Sequence, residues 1–221
     1  MRNKWIAPVC IVFMLVVTAI LYNQLPAQVP IHWNIAGQVD GMADRAVGAF
    51  MMPVLALGIW LLLLAVPRID PRREAYKAFA STYQTLINLI TVFISALHVM
   101  TLGAALGWNI PVAQIVLVGV GLLIAFLGNL LGRVQPNWFV GIRTPWTLSD
   151  PEVWKQTHRL GARTFVAAGL LAALTGLLVP LPIGGVIFII SILVGTLVPV
   201  LYSYIFWRRL HASAEISDQK S

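Results

Sequence analysis

Hydrophobic positions in this 221-residue chain fall in long unbroken runs, not in the short alternations of half-buried strands. Six runs stand out: Trp5 to Tyr22, Val47 to Val66, Thr85 to Leu106, Val112 to Leu131, Thr164 to Leu181 and Ile183 to Trp207. Each is close to the ~20 residues that a helix needs to cross a hydrocarbon core of roughly 30 Å. Two connections, GWNIP (Gly107 to Pro111) and the Pro180 to Pro182 turn, are so short that spans three and four, and five and six, are expected to form antiparallel hairpins. The pattern predicts an all-α integral membrane protein with six transmembrane helices.

The distribution of polar residues refines this. Ser81, Gln84, Asn88, Thr91, Ser95 and His98 recur at helical spacing within span three, on an arc of about 100°. A polar face has no partners among acyl chains, so span three is expected to be central and to turn this face inward. Interhelical hydrogen bonding by a neutral His98 is the plainer explanation, and a solvated track with His98 as its titratable member is the functional one. Small residues in span five (Gly169, Ala173, Gly176) and span six (Gly184, Gly185, Gly195) predict close helix packing.

Composition agrees with a bilayer setting: 59% of residues are hydrophobic and 10% charged, against about 25% charged in soluble domains. The net charge of +7 is spread around the ends of apolar runs, which points to anionic lipid headgroups and away from direct nucleic-acid binding. With the N-terminus inside, fourteen of the fifteen Lys and Arg residues fall on the inner side and only Arg45 outside. Both termini are therefore expected in the cytoplasm. A cleaved signal peptide is the competing view of the first run, but no small-x-small cleavage site follows it.

Candidate chemistry is sparse. The histidines are His32, His98, His158 and His211, and none form an HExxH pair. His32 and Asp40 share the outer loop, yet two ligands do not make a metal site. Cys10, the single cysteine, lies in the first run, and no nucleophile elbow, P-loop or dinucleotide fingerprint occurs. No enzyme activity, metal or cofactor is expected.

Three soluble segments remain. The outer loop, Tyr22 to Arg45, is rich in Pro and Gly and is expected to be ordered by turns. The first inner loop, PRIDPRREAYKAF, reads as a charged helical lead-in to span three. The second inner loop holds NWFVGIRTPWTLSDPEVWKQTHR, residues 137 to 159. Here Ser149 and Glu152 fit a capping box with Pro151 in the first turn of a helix that runs towards span five. On that helix Trp154, Thr157, His158 and Gly161 share a face. GIRTPWT is expected to be a turn-rich extended piece, because Pro145 biases Thr144 away from helical dihedrals. Arg143 is placed to bridge backbone carbonyls or to pair with Asp150 or Glu152. Trp138, Trp146 and Trp154 suit the headgroup layer. Together these features predict a folded inner cap.

The stretch Gly128, Asn129, Asn137, Phe139, GIRTPWTL (Gly141 to Leu148, including Arg143, Thr144, Pro145 and Trp146), Trp154 and Thr157-His158-Arg159 to Gly161 closely resembles the signature of the bacterial SdpI family. The outer loop, with Leu25-Pro26, then Val29 to Asn34 (Pro30, His32, Trp33 and Asn34 among them), Gly37 and Asp40-Gly41, resembles the DUF1648 region often fused ahead of it. Leu160-Gly161-Ala162 stands where the family often carries paired glycines. The resemblance implies a multi-pass cell-membrane immunity protein that protects its cell against a secreted, membrane-active peptide toxin. It also implies capture of a cytosolic winged-helix, ArsR-type autorepressor at the membrane. On this view residues 1–66 are the DUF1648-like region, 67–111 the third helix with its flanks, 112–210 the SdpI-like core and 211–221 a tail. The outer loop would meet the toxin and the inner cap would answer it. The alternative reading is a small transporter or channel using Asn88, Thr91, Ser95 and His98.

Overall fold

The computed structural model describes residues 3–218, and side chains as far as Ala212. Arg2 and Lys220, which enter the charge asymmetry, lie outside the described residues. Among the described residues six helices are long and apolar enough to cross a membrane, matching the six predicted spans. The elements are α1 (Ile6–Leu21), β1 (Gln28–Trp33), β2 (Val39–Asp44), α2 (Arg45–Ile69), α3 (Ala75–Ala78), α4 (Ala80–Ala105), α5 (Val112–Leu131), α6 (Pro145–Ser149), α7 (Pro151–Leu178) and α8 (Leu181–Asp218). A 3₁₀ turn, Tyr22–Gln24, closes α1.

The helices pack as two groups of three. One contains α1, α2 and α4, and the other has α7 between α5 and α8; α4 and α5 join the groups. Large aliphatics such as Leu61, Leu62, Leu170, Leu174, Leu193 and Leu201 face outwards, as expected where acyl chains are the solvent.

Crossing distances within the second group are set by small residues. A Cβ on Gly121 would lie 2.5 Å from the Ala173 amide nitrogen, and one on Gly169 would lie 2.5 Å from that of Ala125. The α5 and α7 backbones touch there, so dispersion contacts replace a hydrophobic drive that lipid cannot supply. Gly195 of α8 meets Ala168 of α7 in the same way, with a Cβ position 2.6 Å from the alanine methyl.

Among the described residues three prolines sit beyond the first turn of long helices: Pro53 and Pro67 in α2, and Pro199 in α8. A helix proline lacks the N–H that its i−4 carbonyl would accept. Those carbonyls belong to Ala49, Leu63 and Gly195, and each accepts a hydroxyl from another helix. Thr18 of α1 donates to Ala49 O at 3.3 Å, Tyr83 of α4 to Leu63 O at 2.6 Å and Thr164 of α7 to Gly195 O at 2.9 Å. A break in each backbone ladder is thus converted into an interhelical bond, which matters where no water can compensate.

The polar stripe is packed inwards along most of its length. Asn88, Thr91, Ser95 and His98 are buried on α4, and only Ser81 is exposed. Asn88 donates to Asn3 O at 3.0 Å, Thr91 to Ile87 O at 2.9 Å, and His98 Nε2 lies 3.0 Å from Thr18 Oγ1. The side chains are used for helix packing and turn closure, in agreement with the plainer explanation of the stripe.

The outer loop contains a β-hairpin that the prolines and glycines of its sequence had disguised. β1 and β2 pair antiparallel, with His32 opposite Gly41 and Trp33 opposite Val39. Asp40 is thus an extra residue, forming a bulge. The chain reverses at Gly37, whose φ of +81° suits glycine. Asn34 Oδ1 holds the turn by accepting from Ala36 N and Gln38 N, both at 3.0 Å.

Candidate functional site

The two polar ends of the bundle are built differently. At one end lies the hairpin, where His32 Nδ1 and Asp40 Oδ1 are 2.5 Å apart and both side chains are substantially exposed. The bulge turns Asp40 towards His32, and Gly41 leaves the room: a Cβ there would come within 2.8 Å of His32 Cβ. Pro30 is buried, while Trp33 and Asn34 are half-buried. Beneath them a mostly apolar cavity of about 310 Å³ reaches Met52, Leu97, Met100 and Val116. Among the described residues no group of three or more His, Cys, Asp or Glu side chains gathers in metal-binding geometry.

The other end carries the cap, residues 132 to 159 with the α2–α3 connection. Its centre is Asn137, fully buried. The Asn137 carboxamide donates to Gln135 O at 2.8 Å and Val140 O at 2.9 Å, and its oxygen accepts from Phe139 N at 2.9 Å and Val140 N at 2.7 Å. One side chain therefore replaces the backbone ladder that this irregular loop lacks. Asp70, only 2% exposed, does the same from the first group of helices. Its carboxylate accepts from Arg72 N at 2.7 Å, Tyr76 Oη at 2.9 Å and Trp138 N at 3.0 Å. The Tyr76 hydroxyl also lies 3.2 Å from Asn137 Oδ1, so it bridges the two centres. Burial, with the Asp70 carboxylate beside it, raises the Tyr76 pKa well above the usual phenol value. Arg72 adds a bond to Leu148 O at 3.0 Å and lies over the Trp138 ring.

His158 is held at both nitrogens. Ile142 N–H points at Nε2 at 3.0 Å, so Nε2 is an acceptor; Nδ1 then carries the proton and donates to Trp154 O at 2.8 Å. This fixes a neutral tautomer. The ring stacks on Trp154 with centroids 4.0 Å apart, and Trp154 Nε1 donates to Val134 O at 2.9 Å. Gly141 passes over this pair at φ +116°, where a Cβ would lie 2.4 Å from His158 Nε2. The predicted buried face is present: Trp154, Thr157, His158 and Gly161 are all buried.

Two local expectations need correction. Asp150, not Ser149, caps α7: its Oδ1 accepts from Glu152 N at 2.8 Å and Val153 N at 3.1 Å. Ser149 instead ends α6, donating to Trp146 O at 3.1 Å. The aspartate reaches both orphan amides, and the serine is one residue too early. The capping box lies at Thr144 and Thr147, each side chain meeting the other's backbone N–H. GIRTPWT is accordingly only partly extended. Thr144 is (φ −101°, ψ 161°), but Pro145 begins the short α6, since the same ring that restricts its predecessor suits the first helical position. Thr144 Oγ1 also meets Ser203 Oγ of α8 at 3.0 Å, and Trp146 packs on Tyr204.

Arg143 takes the carbonyl option, donating to Trp138 O at 2.7 Å; it is exposed, as is Arg159. Asn129 is exposed on α5 and makes no side-chain hydrogen bond among the described residues. Sequence reasoning missed Asp70, Tyr76, Thr147 and Ser203. The available signal was Asp70-Pro71 at the end of a span, a carboxylate where cations were expected. The cap exposes Trp138, Phe139, Arg143 and Arg159.

Comparison with known proteins places these features in context. Residues 133–203 match the SdpI/YfhL protein family, and residues 9–57 match a domain of unknown function, DUF1648. The chain is 26% identical over 217 residues to "Immunity protein SdpI" of Bacillus subtilis (strain 168), covering 96% of this chain and 100% of that protein. No solved structure matches.

Proposed function

We propose that this chain, an SdpI/YfhL family protein across residues 133–203 with a DUF1648 region ahead of it, protects its cell against a secreted, membrane-active peptide toxin. In this reading it works in the cytoplasmic membrane with both termini inside, as its basic residues favour. The hairpin, with Pro30, His32, Trp33, Asn34, Asp40 and Gly41, meets the toxin. The cap, inside, captures a winged-helix, ArsR-type repressor through Arg143, Arg159 and the tryptophans around them. Residues 1–66 then serve as the sensing unit, 112–210 as the responding unit, 67–111 as the helix between them and 211–221 as a tail.

The observation that carries the reading is the full-length similarity to an immunity protein, in a bundle with an ordered polar structure at each end. Packing of the α4 stripe weighs against the transport alternative. Expression in a toxin-sensitive cell tests the proposal. Survival should rise with the wild type, and Arg143→Ala or a His32→Ala/Asp40→Ala pair should remove most of the gain. No gain with the wild type, or full protection by Arg143→Ala, would overturn it. Liposome flux that depended on His98 would move the assignment to transport.

A further inference from the structure

A groove of about 720 Å³ lies at the cap end of the first helix group, between the start of α1, the end of α2 and the start of α4. Its lining combines the cations Lys4, Arg73 and Lys77 with the apolar side chains Leu63, Leu64 and Ile87. Asn88 donates to Asn3 O at 3.0 Å, which fixes the segment bearing Lys4 against α4. Lys77 is paired with Glu74, whereas Lys4 forms no ion pair among the described residues. Three cations less one carboxylate leave two net positive charges at the mouth. Leu64 is 37% exposed, so part of the apolar lining is open to the surroundings.

We propose that this groove binds one anionic phospholipid, its phosphate among Lys4, Arg73 and Lys77 and an acyl chain along Leu63, Leu64 and Ile87. The charge complementarity selects an anion. The apolar side chains that share the groove with the cations select one that carries a hydrocarbon tail. The site lies where α1 and α4 begin and α2 ends, and the ends of spans are where lipid phosphates are expected. It is independent of the immunity assignment, because neither toxin nor repressor enters it.

Native mass spectrometry of the purified full chain, loaded from vesicles of phosphatidylglycerol or of phosphatidylcholine, tests the site. One phosphatidylglycerol should be retained in preference to phosphatidylcholine. Lys4→Ala/Arg73→Ala should weaken retention about thirtyfold, each cation near a membrane surface being worth about fivefold. Ser81→Trp, which fills the groove without removing charge, should do the same. Arg133→Ala/Lys155→Ala, which removes two cations elsewhere, should not. Equal loss in that control pair, equal retention of both lipids, or retention by Ser81→Trp would overturn the proposal. Complete displacement of the lipid by inorganic phosphate would reassign the site to a free anion and overturn it as well.

Discussion

Tyr83→Phe removes one oxygen and leaves the ring, which packs against Tyr76 and Phe79, in place. What it takes away is the hydroxyl donor that sits 2.6 Å from Leu63 O, the carbonyl whose regular helical partner is Pro67, which has no N–H. An unsatisfied buried acceptor costs about 1–3 kcal/mol. Side-chain bonds measured within membranes reach about 1.7 kcal/mol. The expected loss is therefore about 1–2 kcal/mol, up to thirtyfold in the folding equilibrium. In a Pro67→Ala background the restored N–H of residue 67 supplies the missing donor, and Tyr83→Phe should cost close to nothing. Reversible unfolding in mixed micelles, followed by tryptophan fluorescence, gives all four corners of the cycle. A coupling of about 1 kcal/mol or more between positions 67 and 83 is expected. If Tyr83→Phe costs the same in both backgrounds, the hydroxyl is not replacing the proline's missing donor and the reasoning fails. Thr164→Val with Pro199→Ala repeats the test at Gly195 O.

Gly141→Ala should destabilise the cap by several kcal/mol, combining strain at φ +116° with displacement of His158 from the Ile142 amide. Gly107→Ala, at φ +83° with open space around it, should show the strain alone, and equal thermal losses for the two would refute the contact. Asp70→Ala and Asn137→Ala should be non-additive by at least ~0.5 kcal/mol because both meet Tyr76; a purely additive cycle would count against the bridge. The raised Tyr76 pKa stabilises the fold fully below the unfolded phenol value near 10, and that stability is lost as pH rises above it. Absorbance near 295 nm should show a phenolate that forms only as the cap opens, and Tyr76→Phe should remove this late step. Gly121→Val should separate α5 from α7, because the new side chain would meet the backbone at Ala173; an unchanged melting curve would refute the close crossing.

Much of the bundle was legible because the bilayer imposes a length and a polarity on each span. The apolar run Val112 to Leu131 gives the bounds of α5, and Pro151 with its acidic neighbours marks the start of α7, although the sequence points to Ser149 where Asp150 is the cap. The stripe on α4 gave its buried face, since 100° per residue fixes which side chains lie together. Long-range pairings were not legible. Pro67 announces a free carbonyl at Leu63, but nothing local names Tyr83 as its donor. Asp70 looks like an ordinary loop carboxylate until Trp138, far along the chain, is seen to donate to it. The hairpin was hidden for another reason: Pro30 and Gly41 lower the strand signal, although one lies at a position that docks on the bundle and the other makes space for His32.

The last helix touches both polar ends. A Cβ at Gly185 would lie 2.6 Å from Ile35 in the hairpin turn, and Ser203, eighteen residues on, meets Thr144 of the cap at 3.0 Å. At 1.5 Å per residue these contacts are about 27 Å apart on one covalent strut. A load placed on the hairpin tip therefore reaches the first turn of α6 without crossing any loop. Its most pliable point is also set, because Pro199 leaves the strut one backbone bond short a single turn before Ser203, where the Thr164 hydroxyl braces it.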